Sequence, residues 1–120
     1  SWLLRTPQGL LAAERKGNSV TLVSPRGARK LDGEVIDPLG MRLDPSRPGT
    51  LLVLSHRTSV IAEYQTQPGG SWKLAPRPFF APAEGGKYGA RDFLLQADGT
   101  LLITDELTNS VVRRAPGAAT

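Results

Sequence analysis

Three stretches of this chain repeat one frame, and that repeat restricts the possible folds more than any other feature. Gly9-Leu10-Leu11 leads to Asn18-Ser19-Val20, Gly49-Thr50-Leu51-Leu52 to Thr58-Ser59-Val60, and Gly99-Thr100-Leu101-Leu102 to Asn109-Ser110-Val111. The Leu-Leu pairs start at 10, 51 and 101. Upstream, Trp2-Leu3-Leu4 corresponds to Phe93-Leu94-Leu95, and Met41-Arg42-Leu43 takes that role in the middle copy. A short unit of this kind cannot bury both of its own faces, so neighbouring copies must stack.

Each copy divides into short strands. The first strand is expected at 2–6, 41–44 and 91–96, the second at 10–14, 50–55 and 100–105, and the third at 19–23, 59–65 and 110–114. Leu51-Leu52-Val53-Leu54 and Leu101-Leu102-Ile103-Thr104 are nearly continuous apolar runs, the pattern of strands covered on both faces. A fourth strand is expected at 28–32 and at 72–79, whereas the third copy reaches Thr120 without one. Asp98-Gly99, Pro48-Gly49, Arg26-Gly27 and Pro68-Gly69-Gly70 supply the constrained or positive φ of tight hairpins. Pro76, Pro78 and Pro82 make the stretch around Phe79-Phe80 edge-like or extended. The fold class is all-β, one repeat domain over 1–120 with copies at roughly 1–36, 37–86 and 87–120.

The absence of cysteine excludes disulfides, thiolate metal sites and cysteine nucleophiles. No apolar run approaches the ~20 residues of a membrane-spanning helix. The chain begins at Ser1, so removal of a leader would place it in a periplasm or outside the cell. The formal charge of +4 is modest, and its basic residues are not clustered, which disfavours nucleic acid as a partner.

Asp98-Gly99-Thr100-Leu101-Leu102-Ile103-Thr104-Asp105 followed by Asn109-Ser110-Val111-Val112-Arg113 resembles a blade of the NHL, gluconolactonase-like and lactonase-type β-propellers. The soluble quinoprotein sugar dehydrogenases carry similar blades. The resemblance implies about three four-stranded blades, half of a six-bladed propeller. Closed propellers have about four to eight blades, so completion is expected from a second identical chain or from the remainder of a longer one. In the dimer, the amino-terminal segment of one chain would supply the missing outer strand of the other.

The same resemblance implies that loops between second and third strands share one face with the blade-to-blade connections. It therefore singles out Glu14, Arg15, Lys16, Asn18, Asp37, His56, Arg57, Tyr88, Arg91, Asp105, Glu106 and Asn109, with Glu84 and Lys87 beside them. The opposite face would carry Arg5, Arg26 and Arg47, with Asp98 as its acidic exception. Glu14, Asp37, Asp105 and Asn109 offer oxygen ligands for calcium or a similar divalent ion. His56 is the only histidine and, with Arg57, has the chemistry of a base beside an anion clamp. No G-x-S-x-G elbow or phosphate loop is present. The expected function is non-catalytic binding or scaffolding, holding a small molecule or protein on the channel-side loops. The alternatives are a lactonase-like hydrolase or sugar-active enzyme, and nucleic-acid binding through the arginine face.

Overall fold

The computed structural model describes residues 2–82 and 89–115. Every regular element among them is a β-strand. The first sheet is β1 (Leu3–Thr6), β2 (Gly9–Glu14), β3 (Ser19–Ser24) and β4 (Gly27–Lys30). The second is β5 (Pro38–Leu43), β6 (Thr50–Ser55), β7 (Ile61–Thr66) and β8 (Trp72–Leu74). The third is β9 (Phe93–Leu95), β10 (Leu101–Asp105) and β11 (Ser110–Arg114). Each sheet is an antiparallel meander in chain order, and β11 is the last strand of the third sheet among the described residues. The expected boundary near 86–87, and any strand over 116–120, lie outside those residues.

The hairpins explain why the strands stop where they do. At the β1–β2 turn, Gly9 has φ +144°, and a Cβ there would lie 2.5 Å from the carbonyl oxygen of Val23. Only glycine combines that backbone with that approach. The loops after β2, β6 and β10 each close on one non-glycine residue in the left-handed region: Asn18 (φ 50°), Ser59 (φ 57°) and Asn109 (φ 53°). Asparagine accepts this conformation readily, whereas serine does so less often.

These residues correct the repeat alignment by one position in the middle copy. The sequence frame matches Ser59 to Ser19, but the backbone matches Ser59 to Asn18 and hence Ile61 to Val20, and β7 runs from Ile61 rather than from 59. The inner strands shift too. Leu3 pairs with Ala12, Met41 with Val53 and Phe93 with Ile103, which makes Leu3, not Trp2, the counterpart of Phe93. A bulge between Pro38 and Gly40 gives β5 its additional length. The fourth strand of the second sheet is shorter than 72–79 because Pro76 and Pro78 cannot donate to the ladder. The chain pairs again at Phe80, which forms a bridge with Ile61.

The core forms two layers. Leu11, Ala13, Val20 and Leu22 pack with Met41, Leu51, Val53 and Tyr64 between the first and second sheets. Leu52, Leu54 and Ile61 pack with Phe80, Phe93, Leu101 and Ile103 between the second and third. All six residues of β6 are buried, with alternate side chains entering opposite layers. Inner strand β5 touches β1 and β2 on one side and β9 on the other.

Candidate functional site

The three loops that follow β2, β6 and β10 lie along one rim, against the connections that carry the chain from sheet to sheet. Hydrogen bonds on both flanks fix each connection. Asn18 Oδ1 accepts from the amide of Asp37 at 2.9 Å, and the amide of His56 donates to the carbonyl of Asp37 at 3.0 Å. One sheet further on, Ser59 Oγ accepts from the amide of Ala90 at 3.2 Å, and the amide of Glu106 donates to the carbonyl of Gly89 at 3.3 Å. The left-handed loop residue thus ties its own sheet to the entry of the next one.

This scaffold lines up three equivalent positions, the fifth residue after the first leucine of each pair: Arg15, His56 and Glu106. Arg15 Nε donates to Asp37 Oδ1 at 2.5 Å and Nη2 donates to Oδ2 at 3.1 Å, a two-point grip. His56 Nδ1 lies 3.5 Å from Arg15 Nη2 and 3.6 Å from Asp37 Oδ2. Its Nε2 faces Glu106 Oε2 at 3.9 Å, and Glu106 Oε1 accepts from Arg91 Nε. The result is a polar chain, Arg15–Asp37–His56–Glu106–Arg91, spanning all three sheets. The Arg15 hydrogen bond holds the Asp37 carboxyl below its ordinary range against the opposing effect of burial, with help from the charges of His56 and Arg57. The same bond raises Arg15. His56 Nε2 is buried and makes no hydrogen bond among the described residues.

Of the residues singled out from sequence, Arg15, Asp37, His56, Arg91 and Glu106 therefore meet, and Asn18 positions one of them. Glu14 turns away to accept from Ser19 Oγ and Thr21 Oγ1. Asp105 is buried and caps its own loop through the amides of Leu107 and Thr108. Asn109 serves the backbone turn, Arg57 contributes charge near Asp37, and Tyr88 lies outside the described residues. No group of three or more histidine or acidic side chains among the described residues could hold a metal ion. Glu14, Asp37 and Asp105 are separated because two of them satisfy local hydroxyl and amide donors and the third satisfies an arginine.

The opposite rim holds a cleft of about 490 Å³ between the second and third sheets, with Leu95 and Leu101 lining it beside Phe79. Arg47 stands 5.5 Å over the Phe79 ring and donates to Asp44 and Glu63, each at 2.7 Å. Burial opposes ionisation of Asp44, but the bonds from Arg47 and Ser46 outweigh it and leave the carboxyl below its ordinary range. Arg47 is therefore neutralised locally, while Arg5 and Arg26 make no ion pair among the described residues. Sequence reasoning assigned Arg47 to a basic face and overlooked this cleft. Arg47 lies in the turn between β5 and β6 and Glu63 inside β7, and no spacing along the chain signals that they meet. Neither family models nor curated proteins return a match to this chain.

Proposed function

We propose that the three sheets are consecutive blades of a β-propeller and that the rim carrying Arg15, Asp37, His56, Glu106 and Arg91 binds a small polar ligand without turning it over. The observation that carries this reading is the convergence of Arg15, Asp37, His56, Glu106 and Arg91, from three sheets, into one line of polar side chains. The line offers both donors and acceptors, which suits a hydroxyl-rich or zwitterionic molecule. The meander sheets, with inner strand β5 placed between β1 and β9, support the blade reading.

The hydrolase reading draws less support, because Glu14 and Asp105 are occupied by Thr21 and by loop amides. Titration calorimetry with a panel of sugars, polyols and amino acids tests the proposal. A ligand is expected whose affinity falls at least about tenfold in His56→Ala and in Glu106→Gln, with unchanged circular dichroism. Turnover of a lactone or sugar that disappears in Glu14→Ala or Asp105→Ala would replace binding with catalysis as the function.

A further inference from the structure

The two outer faces of the stack are not alike, and together they have the form of one further internal interface. Within the chain, counting from the first leucine of each Leu-Leu pair, the second and fourth residues of a central strand face the following sheet, and the first and third face the preceding one. Leu11 and Ala13 of β2 meet Leu51 and Val53 of β6, and Leu52 and Leu54 meet Leu101 and Ile103 of β10. On the first sheet, the positions that would face a preceding sheet are open. Leu3 is 53% exposed, whereas its counterparts Met41 and Phe93 are 1% and 2% exposed. Leu10 is 39% exposed against 0% for Leu51 and 2% for Leu101, and Val23 is 42% exposed against 0% for Tyr64.

The far side of the third sheet shows the converse. Val111 is exposed and Leu102 is half-buried, while Leu11, Leu52, Val20 and Ile61, at the corresponding positions of the other sheets, are fully covered. Leu94, also exposed, takes the place of the half-buried Leu4 and Arg42. Asn109 has the same left-handed backbone as Asn18 and Ser59, which bind the amide entering the next sheet. Among the described residues Asn109 has no such amide to bind.

We infer that a second copy of this chain covers both faces, head to tail. The Leu94, Leu102 and Val111 face of one copy would pack on the Leu3, Leu10 and Val23 face of the other, and the reverse contact would close the ring. The proposal rests on the blade reading of the sheets. A heterologous contact made twice around a two-fold axis closes, so no sticky face is left over. Leu3–Thr6 is already the inner strand of the first sheet, so it does not supply the fourth strand expected beside β11.

The chain lacks cysteine, so disulfide trapping reads the contact directly. Leu10→Cys and Leu102→Cys proteins are prepared separately, then unfolded and refolded either alone or as an equimolar mixture under mild oxidation. Cross-linked dimer is expected from the mixture and not from either variant alone, because the contact joins unlike faces. Both positions are open enough in one copy that circular dichroism should be unchanged. Cross-linking of Leu10→Cys alone would mean like faces meet, and absence of cross-linking in the mixture would mean these faces do not meet. Either result overturns the ring. Ligand binding at the His56 rim, measured on the same proteins, reports separately on the functional reading.

Discussion

Asp37 and Asp44 both sit against arginines, and this determines how the chain should respond to acid. Hydrogen bonds from Arg15 hold Asp37 below its ordinary range, and those from Arg47 and Ser46 do the same for Asp44 against burial. A carboxyl whose folded value is lowered stabilises the fold fully above its unfolded value, near 4, and loses that contribution as the pH falls towards the folded value. The melting temperature should therefore drop below about pH 4, and Asp44→Asn should be less stable at neutral pH but flatter across that window. An equally steep fall in Asp44→Asn would remove Asp44 from the explanation. At this scale the sequence was partly legible. Asp37, His56 and Glu106 stood out as loop residues, but their meeting depends on distances across sheets that no spacing along the chain reveals. Glu14 looked equally suitable and is instead drawn to Thr21, a neighbour across its own hairpin.

Strands were legible because the β period and the turn residues agree. Leu51-Leu52-Val53-Leu54 has the pattern of a strand covered on both faces, and β6 is buried throughout. The ends of elements were less legible. In the middle copy the left-handed residue is Ser59 rather than asparagine, so the recurring Ser-Val pair pointed to a register one residue away from the one the backbone adopts. The proline stretch read as extended, and it does return to pair at Phe80. Equivalent leucines should then separate by their neighbours. Leu52→Ala, between two sheets, should cost about 3 kcal/mol. Leu102→Ala should cost about 1 kcal/mol or less in the single chain, with any larger loss appearing only at protein concentrations where copies associate. Urea unfolding at two concentrations measures both, and equal costs would show that the outer face of the third sheet is packed by something else.

For the whole molecule, three repeats stack through two apolar layers and leave apolar side chains exposed on the outer faces of the first and third sheets. Exposed Leu3, Leu10 and Val23 on one side, and Leu94 and Val111 on the other, make a single copy an unstable end state at high concentration. The repeat in the sequence made the stacking of three like units legible, and closure into a ring is the proposal drawn from it, since propellers close with more than three. Which outer faces carry apolar residues was not legible, because that follows from the alternation of packed side chains within each sheet. Light scattering across a dilution series tests the half-ring most directly. The expected result is a folded particle of twice the 12.9 kDa chain mass that persists to low concentration. A folded, soluble species of one chain mass at every concentration would contradict it.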